Sequence, residues 1–278
     1  MRDPDKRYRS RIGQSLEVVG VGTRENRPRR LLAIVVALSV LSLGPGAALA
    51  VSPNGPCTSS PNNYAGAEVG WVGAASAEVK IESISPLLCT TSGNPQHASL
   101  TWVAIGGATA CQECIYQIGT AKCVNTLQPS SGCDGTFRLF YAWGRNSSYG
   151  GCPTVLPFPV SLGAGHDRAA PSGTNTYSVV RTTSQIQFKL NTTTQTTIGS
   201  ANICWTSAAA LYYGETYDSG DQLGGTVGDH QSLTNAIYER TVSGPWLSPS
   251  FTNCGSSSAS YLCTRVNGQA IDLWTDRS

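Results

Sequence analysis

SLTWVAIGGATACQECIYQIG, residues 99–119, is the stretch that decides the fold. Its first half alternates between two sets of side chains, one on each face of a β-strand: Leu100, Trp102 and Ala104, then Thr101, Val103 and Ile105. Ile115–Ile118 is short, apolar and β-prone, so a Gly- and Cys-bearing connection should join two strands. Gln117 shares a face with Ile115. Its neutral amide among apolar neighbours either bonds a nearby loop or serves a function.

The first 50 residues predict an export signal. Arg29 and Arg30 precede the apolar run 31–43, and Ala48-Leu49-Ala50 offers a small-residue cleavage site. The run is shorter than the ~20 apolar residues that a membrane-spanning helix needs. We therefore expect removal of residues 1–50, secretion of the remainder and no stable membrane insertion; an uncleaved anchor is the alternative.

Removal of that leader changes the charge of the protein. The whole chain has 19 basic and 17 acidic side chains, and the first 50 residues hold 9 basic and 4 acidic ones, so the mature part carries a net charge of −3. A nucleic-acid footprint would need clustered Lys and Arg. Nucleic acid is therefore not an expected partner.

All 10 cysteines lie after residue 50, and an even number in an exported protein predicts disulfides. We expect a bridge between Cys254 and Cys263, across a Ser-rich loop, and the other pairings stay open. Cys111-x-x-Cys114 could suggest a zinc or redox site. Because no βαβ pattern surrounds it and the histidines are isolated, we expect neither a metal nor a cofactor.

The mature part of the sequence predicts an antiparallel sandwich or barrel. Apolar residues recur with a period of two between Gly, Ser and Pro turns, and no window shows a sustained 3.6-residue period. One such strand has four apolar residues on one face: Phe137, Leu139, Tyr141 and Trp143. We expect an irregular arm over 51–63, pinned by Cys57, and one domain over 64–278.

The carboxylates are the candidate catalytic groups to consider, because the sequence contains no nucleophile elbow and no zinc-protease helix motif. Asp218 and Asp221 fall in a Gly/Ser turn, where solvated side chains are expected. Glu215 instead ends an apolar strand and should face the same side as Leu211 and Tyr213. Burial there should raise its pKa. Such a carboxyl is either partnered structurally or functional.

Four segments resemble the glutamic peptidases, the eqolisins, in that family's order. Asn63-Tyr-Ala-Gly66 is similar to the family's Asn-Trp-x-Gly, and Val79–Pro86 is similar to the strand that follows it. Trp102–Gly119 resembles the core motif, with Trp-Val-x-Ile-x-Gly, Cys-Gln and Gln-x-Gly in turn. Ile203–Glu215 resembles the segment that ends in the family's catalytic Glu.

The resemblance implies an all-β, concanavalin-like jelly-roll sandwich of two antiparallel sheets with a catalytic Gln and Glu. Gln117 falls at the catalytic Gln, and Glu215 matches the catalytic Glu after a one-residue shift. The pair would hold one water: Glu215 would take its proton, and Gln117 would donate to the oxyanion. An acidic working pH is also implied.

Three positions depart from the family's pattern. Gly106, Ala121 and Ala142 stand where the family has acids. The Gln and the Glu of the catalytic pair are both present, whereas several acidic residues of the family's pattern are absent.

Three functions remain open: a secreted acid endopeptidase, a non-catalytic secreted protein that binds glycan or peptide in a concave groove, and a secreted structural protein without a site. The aromatic residues expected to bind the substrate are Trp102, Tyr141, Trp143 and Tyr212. The expected partner is a polypeptide substrate or an extracellular glycan, and a monomer is expected. A water-bridged distance between Gln117 and Glu215 on one face would favour the peptidase.

Overall fold

The structure, a computed structural model, describes residue 57 and residues 63–70, 72–89, 96–108, 111–125, 133–144, 168–199 and 208–276. The predicted leader and most of the predicted arm lie outside these residues. The regular structure of the described part consists of strands: β1 (Asn63–Val69), β2 (Ser76–Glu82), β3 (Gln96–Ala108), β4 (Cys111–Asn125), β5 (Asp134–Gly144), β6 (Thr174–Arg181), β7 (Gln185–Leu190), β8 (Thr193–Gly199), β9 (Ala209–Thr216), β10 (Gln231–Glu239), β11 (Gly255–Ser256), β12 (Tyr261–Asn267) and β13 (Ala270–Thr275). No helix in the described ranges is long and apolar enough to cross a membrane.

These strands form two antiparallel sheets. One has six strands in the order β11-β1-β9-β3-β4-β5, and the other has seven in the order β12-β13-β10-β2-β6-β7-β8. Between them lies the main core, with Val79 and Tyr177 from one sheet and Val103 and Tyr212 from the other. The predicted all-β sandwich of two antiparallel sheets is confirmed, and the concanavalin-like jelly-roll type stays a prediction.

The long hairpin of β3 and β4 is at the centre of the six-stranded sheet. Its strands run further than predicted, since β3 reaches Ala108 and β4 begins at Cys111, with a register shift after Gly106. Gly119 lies opposite Trp102. A Cβ atom at Gly119 would collide with the backbone of Thr101 and Trp102, so only glycine permits this close approach of the two strands.

β3 is apolar on both faces because both faces are covered. Val103 and Ile105 point into the main core between the sheets. Leu100, Trp102 and Ala104 point the other way, into a second apolar cluster on the outer face of the six-stranded sheet. A hydrophobic cluster on that face gives any polar side chain there a desolvated environment.

Three disulfides join described cysteines: Cys57–Cys89, Cys123–Cys133 and Cys254–Cys263. The bridge predicted across the Ser-rich loop, Cys254–Cys263, is confirmed, and Cys57 is bonded to Cys89. The predicted arm stays a prediction. No described cysteine is free. The side chains of Cys111, Cys114, Cys152 and Cys204 lie outside the described part.

Candidate active site

Gln117 and Glu215 lie on the same face of the six-stranded sheet. Gln117 on β4 is opposite Ala104 of β3, and Glu215 on β9 is opposite Leu100 of β3. Ala104 and Leu100 are four residues apart and point to the same side, into the outer cluster. The sequence-based expectation of a shared face therefore agrees with the strand register.

The same register sets the distance between the two groups. Gln117 and Glu215 are two strands apart, with β3 between them, and offset by four residues along it. At about 3.4 Å per residue and about 4.8 Å between strands, their Cα atoms are about 17 Å apart. One water between two extended side chains does not span that distance. The structure thus places the pair on one face without joining them through one water.

Glu215 is a buried carboxyl with several hydrogen-bond donors around it. The residue is 2% exposed, and its Oε2 accepts a hydrogen bond from Trp102 Nε1 at 3.1 Å. Tyr64, directly opposite on β1, donates a second hydrogen bond, and the hydroxyl of Tyr217 is also close to the carboxyl. Burial raises the pKa of Glu215 to about 7, and these groups, Tyr64 foremost, lower it by less.

The positions that depart from the eqolisin pattern belong to this face. Ala121 is opposite Leu100, the neighbour of Glu215, and Ala142 is opposite Gln117. Both alanines are buried in the outer cluster. Their small side chains add to the apolar surface on which Gln117 and Glu215 lie, and burial at this face raises the pKa of Glu215 to about 7.

Gln117 is buried and its side chain forms no hydrogen bond with the described residues. The residue is 1% exposed, and neither its Oε1 nor its Nε2 has a partner there. A buried primary amide that makes no hydrogen bond costs about 1–3 kcal/mol, so such groups are rare in folded proteins. The amide offers one acceptor and two donors, which match the carbonyl and N–H groups of a peptide backbone.

The sequence assigned no role to two further residues of the outer face, Tyr213 and Glu68. The ring of Tyr213 stacks obliquely on Trp102, with centroids 5.5 Å apart, and Tyr213 donates a hydrogen bond to Glu68. Glu68 is exposed as a residue, but partial burial of its carboxyl raises its pKa. The alternation of β1 alone could have placed Glu68 on the face of Tyr64. Only the pairing of β1 with β9 shows that this is the face of Glu215.

Three of the four aromatic residues expected to bind substrate lie in the core between the sheets and not on the face of Glu215. Tyr141 and Trp143 point into the core between the sheets, where each packs on Phe188 of the other sheet. Tyr212 is fully buried there, and its hydroxyl donates to the carbonyl of Ile237. They contribute to the core of the sandwich instead. Trp102 alone of the four lies on the outer face, with Tyr64, Tyr213, Tyr217 and Phe140.

The expectation of solvated acids after β9 is also wrong. Asp218 and Asp221 are both fully buried. Asp221 Oδ1 lies 2.9 Å from His97 Nδ1 and accepts a hydrogen bond from the backbone N–H of Cys89 at 2.9 Å. Burial raises the pKa of Asp221, and the contact with His97 opposes that shift. Partners distant in sequence stabilise these acids, which a local pattern does not reveal.

The one group of possible metal ligands found among the described residues does not fit a metal. Cys57, Cys89 and His97 are buried, with ligand atoms within 4.8 Å of one another. The two sulfur atoms are bonded to each other, so neither is available as a thiolate.

Comparison with known proteins finds similarity among solved structures only. No protein-family model matches the sequence, and no curated protein sequence matches it. SCP-B, a member of the eqolisin family of peptidases solved with the tripeptide Ala-Ile-His, is similar with 17% identity and a TM-score of 0.46 over 77% of this chain and 98% of that one. Scytalido-glutamic peptidase with a peptide-based transition-state analog is similar with 18% identity, a TM-score of 0.46 and the same coverage.

A glycoside hydrolase family 16 endo-glucanase from Bacteroides ovatus is also similar, with 10% identity and a TM-score of 0.29 over 55% of this chain and 65% of that one. Two of these similar structures are thus glutamic peptidases. At these identities and TM-scores the likeness assigns neither a family to this chain nor a role to any residue.

Proposed function

We propose that this protein is a secreted hydrolase of extended polypeptides in which Glu215 transfers the proton. The observation that carries the proposal is the carboxyl of Glu215, buried in an apolar face, with a pKa of about 7 and hydrogen-bond donors beside it. A general base works best when its pKa is near the working pH. The resemblance alone implies an acidic working pH, whereas the raised pKa of Glu215 favours one near 7.

The chemistry at Glu215 needs no metal. The carboxylate takes a proton from a water as that water attacks the peptide carbonyl, and returns the proton to the leaving amine. The hydroxyls of Tyr64 and Tyr217, both beside the carboxyl, are the groups able to donate to the oxyanion. Trp102 fixes the carboxyl through its indole N–H.

Gln117 has a different role in this proposal. Its Cα atom is about 17 Å from that of Glu215, which corresponds to about four or five residues of an extended peptide. Its amide, which has no partner among the described residues, can pair with a backbone carbonyl and a backbone N–H of the substrate. Gln117 therefore binds the substrate away from the bond that is cleaved, and it does not share a water with Glu215.

Substrate must displace the groups that cover this face. Glu215 and Gln117 are almost inaccessible, whereas three tyrosines beside Glu215 are half-buried: Tyr64, Tyr213 and Tyr217. In this proposal, rotation of these rings gives the substrate access to the carboxyl. Glu68, exposed at the edge of the same face, would then meet the substrate next to Tyr213.

A non-catalytic polypeptide-binding protein is the second candidate. The separation of Gln117 and Glu215 favours it, because binding requires both groups to touch one polypeptide but not one carbonyl. The aromatic residues of the outer face would then contribute contact area and no chemistry.

Digestion of an unfolded protein substrate between pH 4 and pH 8 tests the proposal. The parent should cleave, with a rate that rises with a midpoint near pH 7, and Glu215→Gln should lose at least about 100-fold in rate. Glu239→Gln is the matched control, because Glu239 is also buried and accepts a hydrogen bond from Ser76 at 2.7 Å, but lies in the other sheet. Equal rates for all three proteins would contradict the proposal. Substrate binding without cleavage by the folded parent would favour the second candidate.

A further inference from the structure

His97 and Asp221 form a buried contact at the end of the strands that carry the site. Their side chains are both 0% exposed, and His97 Nδ1 lies 2.9 Å from Asp221 Oδ1. The same oxygen accepts the backbone N–H of Cys89, whose Sγ is 3.5 Å from His97 Nδ1. Asp221 thus ties three segments together: the turn after β9, the start of β3 and the disulfide Cys57–Cys89.

The turn fixed in this way is the one that follows Glu215. Tyr217, two residues after Glu215, donates its backbone N–H to the carbonyl of Ala98, the neighbour of His97, at 2.9 Å. Gln222 donates its backbone N–H to the carbonyl of Leu87 at 2.9 Å. These bonds attach both ends of the turn 217–222 to the segments that His97 and Cys89 belong to.

Inside the turn, backbone and side-chain bonds hold its shape. Gly220 donates its N–H to Asp218 Oδ1 at 2.7 Å. The hydroxyl of Tyr261 reaches the carbonyls of Asp218 and Asp221, at 3.2 and 2.8 Å. The turn is therefore a fixed platform, and the direction of the Tyr217 side chain depends on it.

The hydroxyl of Tyr217 acts on Glu215. It lies beside the carboxyl and lowers the pKa of Glu215, and it forms no hydrogen bond of ordinary geometry with a described residue. The backbone of Tyr217 is held from the His97 side of β3, whereas its ring borders the outer apolar cluster. A substitution at His97 or Asp221 that displaces Tyr217 would therefore alter the surroundings of the Glu215 carboxyl.

We propose that His97 and Asp221 are positioning residues that hold Tyr217 against the carboxyl of Glu215. The pair does not touch the substrate. Without it the turn relaxes, the hydroxyl of Tyr217 moves away, and the Glu215 carboxylate loses a group that stabilises its charge. The inference rests on the proposed function in so far as Glu215 is the proton-transfer group, but it can be tested without a substrate.

The direction of the pKa shift of Glu215 distinguishes a positioning role of the pair from a direct effect of the Asp221 charge. Loss of a donor to the Glu215 carboxylate raises its pKa, because the charged form is less well stabilised. In Asp221→Asn, removal of a nearby negative charge would by itself lower the pKa of Glu215. An upward shift in Asp221→Asn therefore means that Tyr217 has moved.

The experiment is a pH titration of the indole ¹H–¹⁵N signal of Trp102, whose N–H is bonded to Glu215 and reports its ionisation. The signal is assigned by its absence in Trp102→Phe. Relative to the parent, we expect the midpoint to rise by about 0.5 pH unit or more in Asp221→Asn and in Tyr217→Phe. Glu239→Gln, a buried carboxyl variant in the other sheet, should not move it.

A second test asks whether the shifts in titration midpoint of two substitutions add, and it does not require Asp221→Asn to fold. His97→Gln alone should raise the midpoint, and His97→Gln added to Tyr217→Phe should raise it no further. An unchanged midpoint in the folded single variants, equal shifts with and without Tyr217, or no shift in Tyr217→Phe would each overturn the proposal. The titration is readable whether or not the parent cleaves polypeptides, so failure of the proposed function would be a separate result.

Discussion

Trp102 donates its indole N–H to the carboxyl of Glu215 at 3.1 Å, across the pairing of β3 with β9. Trp102 is part of the stretch that sets the fold, and Glu215 is the carboxyl proposed to transfer a proton. The residue that anchors the central hairpin thus also fixes the position of the candidate catalytic group. Fold and site are linked at this contact.

Replacement of Trp102 by Phe should raise the pKa of Glu215 by about one unit. A hydrogen bond to a charged group contributes about 1.5 kcal/mol or more, and one pKa unit corresponds to about 1.4 kcal/mol. The measurement is the pH dependence of the free energy of unfolding. Trp246→Phe is the control, since Trp246 is 39% exposed. A Glu215 titration that is the same in both variants would show that the indole does not stabilise the carboxylate.

The free energy of unfolding should fall as the pH rises from about 4.5 to about 7. Burial raises the pKa of Glu215 from 4.5 in the unfolded protein to about 7 in the folded protein. Its contribution is therefore fully present below pH 4.5 and is lost as pH rises through 7, by about 3 kcal/mol in total. Denaturant unfolding at several pH values measures it. Glu215→Gln should remove this part of the pH dependence, and a slope identical to that of the parent would contradict the assignment.

Gly119→Ala should destabilise the protein by about 3 kcal/mol or more, because the new Cβ meets the backbone of β3 and not a movable side chain. Gly199→Ala is a matched control at the end of β8, where an added Cβ meets nothing within 4 Å. Thermal or denaturant unfolding of both variants measures the difference. Equal stability of the two would mean that β3 and β4 do not approach each other as described.

The disulfides should differ in their contribution to stability according to the loop that each closes. Cys57–Cys89 spans 32 residues, whereas Cys254–Cys263 spans 9. Loop-closure entropy in the unfolded protein predicts losses of about 4 and about 3 kcal/mol when each pair is replaced by alanines. Unfolding of the two double variants by denaturant tests this order, and the reverse order would show that native contacts outweigh conformational entropy.

Sequence pattern predicted the sandwich because alternation shows which residues share a face. It did not show which face is inside, since β3 and β5 are apolar on both faces. Tyr141 and Trp143 were therefore placed in a groove although they pack on Phe188 in the core. Glu215 and Gln117 could be placed on one face, but their offset of four residues depends on the register of three strands.

The buried acids show the same limit of local patterns. A Gly/Ser turn predicts solvent-exposed side chains, but Asp221 is buried by contacts with His97 and Cys89, which are 124 and 132 residues away in the sequence. Only long-range packing brings these groups together. The resemblance to the eqolisins implied two packed antiparallel sheets, which the structure has, but it did not give the spacing of the two candidate residues.

The kinetics of two variants on one fluorogenic peptide test the central claim most directly. If Glu215 transfers the proton and Gln117 binds the peptide elsewhere, Glu215→Gln should lower kcat by about 100-fold or more, whereas Gln117→Ala should raise KM and leave kcat within about threefold of the parent. A loss of kcat in Gln117→Ala as large as that in Glu215→Gln would contradict this account, because it would place both side chains at the same reacting carbonyl.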